Sequence, residues 1–265
     1  MTPNLSAMMN TASNLPRERL IFALDIGGGL EEALSWVDRL RDHVGLFKVG
    51  KESFVRYGTE IVRQIHARGG RVFLDLKFHD IPNTVVRAAE AATELGVAMF
   101  NLHALGGREM MTETVGAVRK FAERSEIRPP VVLAVTVLTS LNNSDLKILG
   151  FSRGTGETAL QLARLAQDAG VSGVVASAAD AAAIRKACGG DFLIVTPGIR
   201  GVKEVAGDDQ KRIMTPSEAV RCGADYLVVG RPIRQAADPA GEADAIVGEI
   251  ARGLRLETKD NASEP

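Results

Sequence analysis

Three charged residues stand among apolar neighbours that make them costly to bury, and a fourth follows them closely. Lys48 lies inside Leu46-Phe47-Lys48-Val49-Gly50, while Asp75, Lys77 and Asp80 fall in Val72-Phe73-Leu74-Asp75-Leu76-Lys77-Phe78-His79-Asp80. A buried charge destabilises a fold unless a partner compensates it. Two arrangements meet that requirement: an ion-pair network that only seals the structure, or a charged array that serves a reaction. Asp75 and Lys77 occupy alternate positions, so on a strand their side chains share a face. Asp80 comes after the expected strand end, where the two-residue period gives no direction. A lysine between carboxylates keeps its proton, because nearby opposite charges favour the charged form. That state suits a proton donor beside a developing carbanion.

Further polar groups close other apolar runs. Asp25 ends the first and meets Gly27-Gly28-Gly29, where it serves either as a turn cap or as a ligand. Asn101 and His103 end the fourth, and Thr136 and Thr139 the fifth. His103 has the more common reading of a hydrogen-bonded core histidine, and His79 is equally ambiguous. Gly230 allows close backbone approach, and Arg231 presents a forked donor set suited to phosphate. Gln210, in the tract between the last two runs, is a further donor for the same anion.

The elements that must position these groups alternate in type. Strands are predicted over Leu20–Asp25, Gly45–Val49, Arg71–Leu76, Ala98–His103, Val131–Leu138, Gly173–Ser177, Phe192–Thr196 and Tyr226–Val229. Several are continuously apolar, as strands covered on both faces should be. Helical stripes lie between them at Leu30–Leu40, Thr84–Leu95 and Thr158–Ala169. Thr215-Pro216 with Glu218 opens a helix, and Gly70, Gly96, Gly170 and Gly223 follow helix ends. Strand-helix alternation implies a parallel sheet with right-handed crossovers. Eight such units in 265 residues fit a single-domain (β/α)₈ TIM barrel, with a doubly wound open sheet as the alternative. The chemistry of that barrel sits at the C-terminal ends of its strands, where the polar residues fall, and its phosphate site follows strands seven and eight. The polar tract Leu141–Gly156 is expected at the rim or as part of a lid.

Composition narrows the classes. Lys and Arg number 32 against 33 Asp and Glu, which leaves no basic footprint for nucleic acid. Residues 1–17 lack a signal-peptide pattern, and no apolar run is long enough to span a membrane. The expectation is a cytoplasmic protein with a mobile tail at 1–17, a barrel over 18–256 and a polar tail at 257–265. Cys188 and Cys222 fit neither metal spacing nor a disulfide framework, so both are expected as buried structural thiols.

Asp75-Leu76-Lys77-Phe78-His79-Asp80-Ile81-Pro82-Asn83-Thr84 resembles the signature of bacterial orotidine 5′-phosphate decarboxylases. Six further blocks resemble that family in its order: Ala23–Asp25, Lys48–Glu52, Val135–Ser140, Val195–Arg200, Gly207–Gln210 and Val229–Ile233. The resemblance implies a cofactor-free, metal-free decarboxylase of orotidine 5′-monophosphate that acts as a homodimer with shared sites. It implies that Lys77 protonates C6 of the pyrimidine, within an array of Lys48, Asp75 and Lys77 joined by Asp80 of the partner. Asp25 and Lys48 would hold the ribose hydroxyls, Thr84 would join across the interface, and Thr139 would lie near the base. Arg200, Gln210, Gly230 and Arg231 would bind the phosphate.

Three rivals compete with that reading. Magnesium-dependent sugar-phosphate decarboxylases or synthases of the same superfamily share Asp-x-Lys-x-x-Asp, but carry a carboxylate where Lys48 stands. A Schiff-base aldolase also uses a barrel lysine, though a protonated Lys77 is a poor nucleophile. An inactive phosphoribosyl-binding module would be expected to have lost one of the four charges.

Overall fold

The computed structural model describes residues 15–198 and 214–261. Its elements run β1 (Leu20–Ala23), α1 (Leu30–Leu40), β2 (Leu46–Gly50), α2 (Lys51–Tyr57), α3 (Glu60–Ala67), β3 (Val72–Phe78), α4 (Pro82–Glu94), β4 (Met99–His103), α5 (Gly107–Arg124) and β5 (Val131–Val135). Then follow α6 (Asn143–Ile148), α7 (Thr155–Asp168), β6 (Gly173–Val175), α8 (Ala178–Cys188), β7 (Leu193–Pro197), α9 (Pro216–Arg221), β8 (Tyr226–Val229), α10 (Arg231–Arg234) and α11 (Pro239–Asn261). The strands pair in parallel in chain order, and β8 closes on β1. This is the predicted (β/α)₈ barrel.

The alternation of side chains along each strand divides the core into two shells. Outward residues such as Phe22, Phe47, Val49, Leu74, Phe100, Val132, Ile194 and Leu227 pack under the helices. Inward residues Ile21, Leu46, Phe73, Met99, Leu133, Val195 and Tyr226 fill the lower barrel. Two residues further along three neighbouring strands, the inward position turns polar: Leu46 gives way to Lys48, Phe73 to Asp75 and Met99 to Asn101. The site is therefore the next inward layer of the barrel, resting on an apolar floor.

At the opposite end, Arg185 ties the closing strands together. Its guanidinium donates to the carbonyls of Gly189, Phe192 and Gly223 at 2.7–2.8 Å and meets the Asp225 carboxylate at 2.6 Å. Asp225 also accepts from the Ile194 amide at 2.8 Å. Bottom-face polar groups paired this fully serve stability, because the chemistry of a barrel lies at its other mouth.

Element ends differ from the sequence expectation where apolar character outlasts hydrogen bonding. The apolar run predicts a fifth strand reaching Leu138, but its ladder stops at Val135, and Val137 and Leu138 belong to the rim. The helix expected from Thr84 begins at Pro82, where the missing N–H costs nothing at the first helical position. Leu141–Gly156 contains α6, closed by a capping box between Asn142 and Asp145. Thr215 and Glu218 form the reciprocal box that starts α9. Cys188 is buried as expected, and burial raises its thiol above the ordinary range. Cys222 is only half-buried, because it caps the C-terminal end of α9.

Residues 1–14 of the expected tail lie outside the described residues, while Pro16–Arg19 forms a 3₁₀ turn. At the other end α11 runs past residue 256 to Asn261. Among the described residues no helix is long and apolar enough to cross a membrane.

Candidate active site

The mouth of β1–β4 gathers a chain of alternating charges. Lys48 Nζ donates to Asp25 Oδ2 at 2.8 Å and lies 3.5 Å from Asp75 Oδ2. The other Asp75 oxygen, Oδ1, accepts from Lys77 Nζ at 2.5 Å. Lys48 is 8% exposed, so its ammonium depends on the two flanking carboxylates. Burial pushes the Asp75 carboxyl up, but Lys48, Lys77 and the Asn101 amide together hold it below the usual carboxylate range.

Gly50 makes room for this array. Register places Ala23 beside Lys48 and Gly50 beside Asp75. A Cβ on Gly50 would stand 2.5 Å from Asp25 Oδ1 and 2.8 Å from Lys48 Nζ. The missing side chain thus leaves the gap through which the ammonium reaches both carboxylates.

Asp75 and Lys77 do meet, but through an irregular strand. The β3–β4 register shifts between Leu74 and Phe78, and Lys77 takes φ +55°, in the left-handed region that non-glycine residues rarely enter. Asn101 on β4 accepts the Lys77 amide through Oδ1 at 2.8 Å and donates through Nδ2 to Asp75 Oδ1 at 2.7 Å.

Gly230 and Arg231, expected at a phosphate, fall at the seam where β8 meets β1. Gly230 approaches Ala23 so closely that an added Cβ would sit 3.1 Å from the Ala23 Cβ. Arg231 follows at the start of α10, and Arg234 donates to the Asp25 carbonyl at 2.6 Å. Thr139 lies exposed in the turn after β5. Arg200 and Gln210 lie outside the described residues.

Asp80 and Thr84 do not join the array within one chain. Both are exposed, and Asp80 Oδ1 accepts from the Ile81 amide at 2.7 Å. Among the described residues Asp80 makes no ion pair with Lys48 or Lys77.

His103 departs from the expected hydrogen-bonded core histidine. Its Nδ1 is buried without a partner among the described residues, and its ring lies 5.4 Å from that of His79. Burial, with His79, Lys77 and Lys51 nearby, lowers its pKa to about 4. A neutral imidazole that is harder to protonate folded than unfolded contributes stability above pH 6.5, and that contribution declines as pH falls toward 4. Wild type should therefore lose on the order of 1–2 kcal/mol over that window that His103→Asn retains, allowing for partial exposure. Urea unfolding at several pH values checks this, and parallel curves for the two proteins would refute it.

Sequence patterning places Asn101 among the polar residues at the end of the fourth strand without a role, and singles out neither Gly50 nor Arg234. A polar residue at an inward position of β4, level with the charges of β2 and β3, is the available signal for Asn101. Gly50 and Arg234 act through close approaches that no spacing reveals.

Fold and site together define a (β/α)₈ barrel whose mouth carries alternating lysines and aspartates, the preorganised charges of an enzyme active site. The family model described as "Orotidine 5'-phosphate decarboxylase / HUMPS family" matches residues 18–246. A protein of Syntrophus aciditrophicus named orotidine 5′-phosphate decarboxylase is 66% identical over 248 residues, covering 93% of this chain and 99% of that protein. One of the same name from Syntrophotalea carbinolica is 53% identical over 238 residues, covering 90% and 97%. The crystal structure of orotidine 5′-phosphate decarboxylase from Lactobacillus acidophilus superposes with a TM-score of 0.77 at 35% identity, covering 87% of this chain and 98% of that one. The chain belongs to the orotidine 5′-phosphate decarboxylase / HUMPS family.

Proposed function

We propose that this protein decarboxylates orotidine 5′-monophosphate to uridine 5′-monophosphate, the carboxy-lyase step of pyrimidine biosynthesis. The observation that carries this reading is the Lys77 ammonium, held against Asp75 at the barrel mouth, within a family match that spans most of the chain. Cleavage of the bond between C6 and the carboxylate leaves the electron pair on C6, with no adjacent carbonyl to spread it. The reaction requires on the order of 20 kcal/mol of transition-state stabilisation. A preorganised cation at the developing charge is the strongest means open to these residues. Lys77 supplies that cation, then transfers its proton to C6 as carbon dioxide departs, and the resulting amine regains a proton from water.

The remaining residues bind and orient. Asp25 and Lys48 take the ribose hydroxyls, and Thr139 stands near the base. Gly230 and Arg231, with Arg200 and Gln210, hold the phosphate. Binding energy from that remote group contributes to the barrier at C6. The magnesium-dependent rivals fit less well, because the ammonium of Lys48 sits between Asp25 and Asp75, where their metal would need a carboxylate neighbour.

The functional unit is a homodimer in which Asp80 and Thr84 complete the site of the partner. Among the described residues Asp80 makes no ion pair with a lysine of its own chain, and exposed apolar residues line the same mouth. Ile81 is 66% exposed, Leu105 46% and Leu138 38%, each in the connection after successive strands β3, β4 and β5. Ile148 and Leu149 of the neighbouring excursion are exposed as well. Apolar side chains clustered on one face fit an isologous contact. Cytoplasmic residence fits the two free thiols.

The test is the loss of orotidine 5′-monophosphate ultraviolet absorbance near neutral pH with EDTA present. Turnover is expected in full under chelation. No turnover by well-folded protein would turn the reading toward the sugar-phosphate relatives.

A further inference from the structure

We propose that Asn101 is a positioning residue for the reaction, holding the Lys77 backbone and the Asp75 carboxylate at once so that the Lys77 ammonium is aimed at the reacting carbon. The inference rests on the decarboxylase reading for its chemistry, and on this structure for its geometry. Asn101 is 0% exposed, and a buried carboxamide in a barrel strand must find partners for its polar atoms. Its orientation follows from what it touches: the Lys77 amide only donates and the Asp75 carboxylate only accepts, so Oδ1 faces the first and Nδ2 the second.

The contacts close a ring. Lys77 N–H reaches Asn101 Oδ1, Asn101 Nδ2 reaches Asp75 Oδ1, and Lys77 Nζ reaches the same Asp75 oxygen. The ring spans the shifted register between Leu74 and Phe78, so Asn101 Oδ1 accepts the amide of a residue held at φ +55°. A regular strand would carry Lys77 along the barrel wall on the two-residue period. The bulge, stapled by Asn101, instead folds its side chain back onto Asp75. With Oδ1 occupied by Asn101 and Lys77, the Asp75 Oδ2 atom is left facing Lys48. One carboxamide therefore orders both halves of the Lys48–Asp75–Lys77 sequence without touching substrate.

Two substitutions separate positioning from simple support of the fold. Asn101→Asp keeps an acceptor for the Lys77 amide but replaces the donor to Asp75 with a like charge. Asn101→Ser retains a hydroxyl too short to bridge both groups. A displaced ammonium is expected to lower kcat about 100-fold or more in each folded variant, with KM within about threefold. Among the described residues the charged and titratable groups facing Asp75 are Lys48 and Lys77, with Asp25 on the far side of Lys48 and His103 close enough to feel its charge. With those unchanged, loss of the Asn101 donor should move the Asp75 carboxyl titration upward, read by carbon-13 NMR of labelled aspartate. If Asn101→Asp fails to fold, Asn101→Ser decides. Wild-type kcat in either folded variant, or an Asp75 titration unmoved in Asn101→Ser, would overturn the proposal. The titration needs no turnover, so an inactive wild type would sink the decarboxylase reading while leaving this readout to stand or fall by itself.

Discussion

Lys77→Ala is expected to abolish turnover while leaving the barrel intact. On the proposed mechanism, the substitution removes both the cation beside C6 and the proton that replaces carbon dioxide. Oxyanion-type stabilisation and general-acid catalysis each contribute about 10²–10³-fold or more when removed singly, so a combined loss on the order of 10⁴-fold or greater in kcat is expected. The fold should tolerate the change, since Lys77 is partly exposed and Asp75 keeps Lys48 and the Asn101 amide as partners. Circular dichroism and binding of uridine 5′-monophosphate provide the controls, and absorbance loss provides the rate. A folded variant within tenfold of wild type would remove Lys77 from the chemistry.

The second large effect concerns Asp80. Alone, Asp80→Ala should lower kcat/KM at least about 100-fold, as removal of a charge next to the reacting groups does. Mixed and refolded with Lys77→Ala subunits, it should regain activity. Each heterodimer then holds one site with an intact Lys77 and an intact Asp80, and one site lacking both. Random pairing makes about half of the dimers mixed, so the mixture should recover roughly a quarter of wild-type activity. Recovery absent from a mixture shown to contain heterodimers would confine Asp80 to its own chain and end the shared-site reading. The geometry motivates the experiment: Asp80 is exposed and makes no ion pair with Lys48 or Lys77 of its own chain, while Ile81, Leu105 and Leu138 are exposed in the connections after β3, β4 and β5.

Both experiments concern residues that stand out in the amino-acid sequence. Lys48, Asp75 and Lys77 do so because charge inside apolar strand segments demands compensation. The eight strands are equally readable, because strands covered on both faces are apolar almost throughout and the helices between them carry one apolar stripe. The ends of those elements are harder to place. Val137 and Leu138 continue the apolar run of β5 although the ladder has stopped, since residues of a barrel rim are apolar for reasons unrelated to strand pairing.

What the sequence determined by itself was the barrel, the strand ends at which polarity begins, and the charges Lys48, Asp75 and Lys77, because local period and the cost of buried charge act along the chain. Only the tertiary structure decided how those charges meet. Lys48 reaches Asp25 and Asp75 through the space left at Gly50, and Lys77 turns onto Asp75 through a register shift stapled by Asn101. Such arrangements depend on the register between neighbouring strands and on atoms brought close together from distant positions, which no single-chain period encodes.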